Sequence, residues 1–541
     1  MEFSYNQKRE LHSYTQRSVA MGPRGMVASS QQLATLSGYK ILLKGGNALD
    51  AAVAMASTLN VVEPHSVGIG GDAFALIYLA EENKIIGINA SGRAPYKADL
   101  DYFHKRGIRT MPERGILTVT VPGALHGWAR AVERYGSLKL GYLFEDAIYY
   151  AENGFPVTEI IAGEWKNAKD VLLSHASGSK SYLINGKAPK PGQVFKNKDL
   201  AQTYRKIASE GIETFYEGEV CKAIVDFSRQ NDGLISSKDF KAHTTSWVEP
   251  ISTNYRGYTI YELPPNGQGI TALEMLNILE GYDIAGLGHN SADYLHLLIE
   301  AKKIAFRDRD YVVTDPEFES VPVDRLLSKE YAKEWREKIN YQKAMVPPAP
   351  YSNARGSDTV FVTAVDQNRN AVSLISSVYM AFGSGMVVDD TGIVLQNRGH
   401  SFSLDPHHPN RLEPHKRPMH TIIPAMVFKD GRFLMSFGVM GGDMQPQGHV
   451  QFLINLIDFK MNIQEAVDAP RLRHVQGKEV YLEEGISKIA ASELKERGHH
   501  IIDVPPSVNQ FGGGQAIYLD RAQNVLLGAS DRRKDGCAIG Y

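Results

Sequence analysis

GSDTVFVTAVDQNRNAVSLISSVYM, residues 356–380, decides how the chain is read. Thr359, Phe361, Thr363 and Val365 fall on one side of an extended strand, with Val360, Val362 and Ala364 on the other, because successive strand side chains point to opposite faces. DQNRN supplies turn residues, and AVSLISSVYM returns as a second strand. A hairpin centred near Asn368 sets Ser377 across from Thr359, within reach for a side-chain contact if the register holds. Upstream, Pro347, Pro348 and Pro350, then Asn353, Gly356 and Ser357, predict an exposed, non-helical tether leading into Thr359.

Working outward, DAAVAMASTL predicts a helix capped by Asn47 or Asp50 and stopped at Pro64; its small side chains permit close packing. FALIYL and IIGI, separated by EENK, read as strand, turn, strand. The GIGG before them, residues 68–71, reads as structural. VPGALHGWARAVERYG and LHLLIEAKKIAFRDRD carry apolar residues at helical spacing, and FRDRD is expected to be a charged helix face with local ion pairs.

Composition narrows the function classes. With 541 residues, the chain exceeds the range in which single cores usually stop growing. An apolar fraction of 43% excludes a disordered or fibrous chain. Lys and Arg number 59 against 61 Asp and Glu, which supplies no electrostatic footprint for nucleic acid. Two cysteines, Cys221 and Cys537, cannot make a disulfide framework. His407, His408, His415 and His420 match no compact zinc spacing, so neither metal nor cofactor is expected. Absence of a secretory or membrane-length apolar run leads to the expectation of a cytoplasmic protein without a membrane partner.

Several ordered stretches resemble the gamma-glutamyltransferase family of N-terminal nucleophile hydrolases. They include GMVASSQQLATLSGYKILLKGGNALDAAVAMASTLNVVEPHSVGIGGDAF, VPGALHGW, GFPV, FYEG, ELPPNGQG, the 356–397 stretch, HKRPMHTIIPAMVFKDG, GVMGGD and the terminal DRRKDGCAIGY. The resemblance implies an α+β fold, a four-layer αββα sandwich, and self-cleavage between Asp358 and Thr359. The products would be a large segment, 1–358, and a small one, 359–541. They would form an interdigitated heterodimer, with a dimer of heterodimers as a further assembly.

A threonine hydroxyl needs a base, and cleavage before Thr359 would create one: a new α-amine with a reference pKa of about 8. The resemblance gives Ser377 the place of the family's second hydroxyl. It gives Gly441 and Gly442 that of the Gly-Gly pair whose N–H groups hold the oxyanion.

Departures fall in the substrate pocket. SGRAP puts Ser91 where the family has an Arg that holds the γ-glutamyl α-carboxylate, with Arg93 two residues later. His420 and Thr421 replace a serine pair, Tyr379 replaces an Asn, and Arg398 and Ser401 replace a Gln and an Asp. A pocket that loses a carboxylate and gains a guanidinium should prefer an anionic or carbonyl oxygen to an ammonium group. The expected activity is therefore hydrolysis, through an acyl-enzyme and with water as acceptor, of a small carboxylate-bearing amide such as oxamate. Glutaryl/cephalosporin acylase, gamma-glutamyltransferase/glutathione hydrolase and an unprocessed non-enzymatic binding or scaffold protein are the alternatives.

Overall fold

The computed structural model describes Thr15 and residues 17–346, 358–503 and 508–541. The tether expected at 347–357 lies outside the described residues. Fourteen strands build two seven-stranded antiparallel sheets. In chain order they begin with β1 (Ala20–Gly22), β2 (Met26–Ser29), β3 (Asp72–Leu79), β4 (Lys84–Ala90), β5 (Ser246–Val248), β6 (Ile251–Tyr255) and β7 (Tyr258–Glu262). They continue with β8 (Asp358–Val365), β9 (Ala371–Tyr379), β10 (Ala425–Lys429), β11 (Arg432–Met440), β12 (Gly513–Asp520), β13 (Val525–Ser530) and β14 (Cys537–Gly540). The first sheet runs β14-β2-β8-β9-β3-β4-β5 and the second β1-β13-β12-β11-β10-β7-β6. Each sheet mixes strands from both sides of residue 358.

The hairpin forms in the interior of the first sheet with the register its alternation implies. Val360 lies opposite Ser376 and Phe361 opposite Ile375, continuing to Val365 opposite Ala371. The register shifts only at the open end, where Asp358 faces Tyr379 and Thr359 occupies a bulge. Alternation also sorts the core. Phe361, Val365 and Ile375 join Met426, Phe433, Met440 and Ile517 of the second sheet in one apolar cluster.

The opposite face packs on helices. Val360, Val362 and Leu374 cluster with Leu42 of α1 (Gln32–Leu43), Val53 and Met55 of α2 (Ala48–Val62) and Trp128 of α3 (Ala124–Tyr135). On the second sheet, Val427, Met435 and Phe437 cluster with Leu276 of α4 (Gly269–Leu279), Leu298 of α5 (Ala292–Val312) and Phe452 of α6 (Met444–Ile457). The fold is α+β.

Both caps proposed for α2 act together: the Asn47 side chain accepts from the Asp50 N–H, and the Asp50 carboxylate accepts from the Asn47 N–H. Close packing of α1 on α2 depends on Gly38, where an added methyl would sit 2.6 Å from Met55 Cγ. No helix among the described residues is long and apolar enough to cross a membrane.

The DRRKDG segment fastens the second sheet. Asp531, fully buried, accepts from Arg471 Nη2 at 2.8 Å, Arg533 Nη1 at 2.9 Å and the Gly514 N–H at 2.8 Å. Gly514 pairs with Val439, so this carboxylate secures β12 beside the end of β11. Burial pushes the Asp531 carboxyl up, but Arg533 and Arg471 outweigh it and hold the group down to about 2. A depressed carboxyl stabilises the fold above its unfolded pKa of about 3.9 and loses that contribution as the pH falls through 2, an effect on the order of 2 kcal/mol. Asp531→Asn should therefore lower the urea midpoint clearly at about pH 5, with the gap to wild type closing as the pH approaches 2. A gap that stays constant with pH would contradict the assignment.

Candidate active site

The bulge turns Thr359 toward Ser377. Thr359 is 1% exposed, and its Oγ1 donates to Ser377 Oγ at 3.2 Å. Ser377 Oγ in turn donates to the Asp358 carbonyl oxygen at 2.7 Å and accepts from the Tyr379 N–H at 2.8 Å. One hydroxyl thus touches the nucleophile candidate, the carbonyl of the bond preceding it and the next turn of chain. The GIGG segment makes room for this, as its structural reading implied. A methyl on Gly71 would sit 2.3 Å from the Ser377 carbonyl oxygen, and one on Gly70 would sit 2.0 Å from that of Val394.

Tyr379 adopts φ +81° and Phe382 φ +55°, left-handed values that cost on the order of 1–3 kcal/mol for residues other than glycine. This backbone carries the Tyr379 ring over Arg398, whose guanidinium carbon lies 4.0 Å from the ring centroid. Arg398 is wholly buried, and its Nη1 donates to Thr421 Oγ1 at 2.8 Å. Its Nε and Nη2 have no hydrogen-bond partner. Burial lowers the guanidinium pKa to about 10, opposed by Tyr379 and Asp72. Unmet donors on a buried cation are costly.

His420 is also buried. Its Nδ1 accepts from the Ile422 N–H, which leaves the proton on Nε2 to be donated to Asp72 Oδ2 at 3.1 Å. Burial and Arg398 push the ring pKa down to about 4 against the pull of Asp72, so the imidazole is neutral near neutral pH. Asp72 Oδ1 accepts from the Gly92 N–H and from Gln396 Nε2, each at 2.9 Å.

Gly441 and Gly442 follow β11 with φ +122° and +58°. Two contacts between the sheets indicate where they lie. Thr363 Oγ1 donates to Ser436 Oγ at 2.7 Å, and Gly438 packs on the Phe361 ring. The pairs advance in opposite senses along β8 and β11, which carries the Gly-Gly turn toward the Thr359 end. Gln268 completes the connection: its Nε2 donates to the Thr421 carbonyl at 2.7 Å and the Gly442 carbonyl at 3.0 Å. Its Oε1 accepts from Arg309 Nη1 at 2.8 Å, and the same nitrogen pairs with Asp443 at 2.7 Å. Thr359, Ser377, Tyr379, Arg398, Thr421, Gln268 and Gly442 thus form one continuous set of contacts.

A cavity of about 460 Å3 borders this set, lined by Tyr379 and Ser401 together with Arg109, Met111, Phe402 and Met419. Arg309 and Asp310 form part of its wall, so FRDRD is more than a solvated charged face: Arg309 is fully buried. Gln268 and Asp72 carried no sequence signal beyond their place in quoted motifs.

Arg93 lies elsewhere in the polar network. Its Nη1 meets Asp315 Oδ2 at 3.3 Å and the His415 carbonyl at 3.1 Å, while Nη2 meets Glu317 at 2.6 Å. The expectation of a pocket that has lost its carboxylate and gained a guanidinium therefore needs correction. Arg93 is neutralised by Asp315 and Glu317, and Arg398 feels Asp72.

Among the described residues, His296, Glu300 and His499 bring ligand atoms within 4.8 Å of one another. Their own partners already engage them: His296 bonds His499 and the Asn340 carbonyl, and Glu300 takes Lys303 and the Met345 N–H. No metal role is assigned to them. Burial raises the Cys221 thiol to about 11, which suits a packing residue better than a thiolate nucleophile.

The model of the Gamma-glutamyltranspeptidase family matches residues 34–541. The chain is 41% identical to the Glutathione hydrolase-like YwrD proenzyme of Bacillus subtilis (strain 168), over 96% of this chain and 99% of the relative. It is 35% identical to the Oxamate amidohydrolase proenzyme of Klebsiella pneumoniae, over 96% and 98% of the two chains. The crystal structure of cephalosporin acylase from Bacillus halodurans superposes with a TM-score of 0.92 at 42% identity, covering 99% of each chain. Taken with the site geometry, these matches show that the chain belongs to the gamma-glutamyltranspeptidase family of N-terminal nucleophile hydrolases and is an amidohydrolase enzyme.

Proposed function

We propose that the chain cleaves itself between Asp358 and Thr359 and then hydrolyses a small amide bearing a carboxylate, with Thr359 as nucleophile. The observation that carries this reading is the shared Ser377 hydroxyl, in contact with both Thr359 Oγ1 and the Asp358 carbonyl. In the intact chain no α-amine is available as base, and the Ser377 contacts offer a relay. As Thr359 Oγ bonds to the Asp358 carbonyl carbon, its proton passes to Ser377 Oγ, which gives its own proton to the carbonyl oxygen. Collapse of the tetrahedral species returns that proton to the Thr359 nitrogen as the C–N bond breaks. The products are an Asp358 ester of Thr359 and a free α-amine. Water then hydrolyses the ester, leaving the Asp358 carboxylate and the Thr359 hydroxyl.

After cleavage, the Thr359 α-amine serves as general base for attack on substrate. Gly441 and Gly442 N–H groups take the oxyanion, for which their left-handed backbone and the absence of side chains leave room. Arg398 binds the substrate carboxylate through Nε and Nη2, with Thr421 holding its third nitrogen and with Tyr379, His420 and Ser401 shaping the site. Water is the acceptor. The two pieces, 1–358 and 359–541, remain interlocked because strands from both share each sheet, in an αββα sandwich whose clusters join helices to sheet, sheet to sheet and sheet to helices. The proenzyme names of the relatives support processing.

Oxamate is the first substrate choice, because one carboxylate beside one amide matches a buried guanidinium close to the nucleophile. The cavity beside Tyr379 favours a second reading, a glutaryl or cephalosporin-type acylase, since about 460 Å3 exceeds what oxamate fills.

Purified protein should resolve into two pieces, the smaller beginning TVFVTAVD. Thr359→Ala should remain a single inactive chain, and Thr359→Ser should keep some of both reactions. Full activity in a chain that stays whole would defeat the proposal. For specificity, the processed enzyme should show higher kcat/KM on oxamate or a glutaryl amide than on a γ-glutamyl anilide. Arg398→Gln should cut the former by about tenfold or more, since a charged hydrogen bond is lost. A tenfold preference of the wild type for the γ-glutamyl compound would restore the glutathione hydrolase reading.

A further inference from the structure

Residues 112–115 of the large segment lie across the turn that follows β9. Arg114 Nη1 donates to the Ala381 carbonyl at 2.6 Å and also to that of Gly383. The Gly115 N–H donates to the Ser384 carbonyl at 2.9 Å, and Asn397 Nδ2 donates to that of Glu113 at 2.7 Å. Asn397 Oδ1 then accepts from the Met380 N–H at 3.1 Å. These ties converge on a stretch whose backbone turns left-handed at Tyr379, Phe382, Gly383 and Gly385. Such a turn needs support from outside itself, and Arg114 supplies it with one nitrogen shared between two carbonyls.

The same turn sets the scissile end of the hairpin. Tyr379 faces Asp358 in the register, and its N–H holds the Ser377 hydroxyl that reaches Thr359 and the Asp358 carbonyl. Charge adds to the hydrogen bonds. Burial raises the Asp358 carboxyl, and Lys534 and Arg114 both act against that rise.

We propose that Arg114 is a positioning residue for self-cleavage: it fixes the Ala381–Gly383 turn that follows Tyr379, so that the Asp358–Thr359 peptide is presented to Ser377. Arg114 touches none of the reacting atoms. It acts through the turn and through Asp358, and after cleavage it remains as a contact between the two fragments. The inference rests on the self-cleavage proposed above.

A double-mutant cycle on the full chain tests it, with the rate of conversion to two fragments followed by denaturing gel and intact mass. Arg114→Gln should slow conversion by at least about tenfold, and Asp358→Asn alone should also slow it. In the Asp358→Asn background, Arg114→Gln should cost clearly less than in the wild type, because only the turn contacts are then lost. Arg114→Lys, which keeps the cation, should recover part of the lost rate. Equal losses in both backgrounds would reduce Arg114 to a structural tie, and wild-type rates for either single variant would overturn the proposal. If Arg114→Gln does not fold, the rates of Asp358→Asn and Arg114→Lys decide: an undiminished rate for Asp358→Asn overturns it. Cleavage of the wild type elsewhere, or none, would instead strike the underlying reading.

Discussion

The Ser377 hydroxyl is the interaction on which the site depends. One oxygen meets the Thr359 hydroxyl, the Asp358 carbonyl and the Tyr379 N–H, and each contact restricts the backbone around it. The strand bulges at Thr359, where these contacts converge. Gly71 must remain free of a side chain to admit the Ser377 backbone, and Tyr379 must take a left-handed conformation. Left-handed backbone at Tyr379 and Phe382 lies next to the Ser377 hydroxyl, held by the segment carrying Arg114.

Electrostatics determine what this geometry favours. Arg398 is a buried cation with two unmet donors, beside a histidine kept neutral and an aspartate already accepting from several groups. An incoming carboxylate would satisfy the donors and offset their cost of about 1–3 kcal/mol each. An ammonium group would leave them unmet and face like charge. Asp72 moderates that contrast without reversing it, because its own oxygens are engaged.

Local pattern made much of the fold legible. The hairpin register, the α2 caps and the strand pair β3–β4 each follow from neighbouring residues, where alternation and capping chemistry leave few options. Alternation also put Phe361 and Val365 on one face, and the folded chain shows that this face meets the second sheet. What escaped depends on distant chain. Arg93 is captured by Asp315 and Glu317, more than 200 residues away. Gln268 gains its place by joining Thr421 to Gly442, and Arg309 leaves the solvated face by reaching Asp443. Polar partners of this kind carry no periodicity, so nothing short of the folded chain pairs them.

In the proposed reaction the Thr359 oxygen carries the acyl group. Processed enzyme, quenched in acid during turnover of a slowly hydrolysed glutaryl amide, should gain the mass of one glutaryl group. Peptide mapping should then place that mass on Thr359 at the start of TVFVTAVD, and hydroxylamine should remove it. An adduct on any other residue, or sustained turnover with no adduct at any quench time and no release of acyl hydroxamate, would contradict the account.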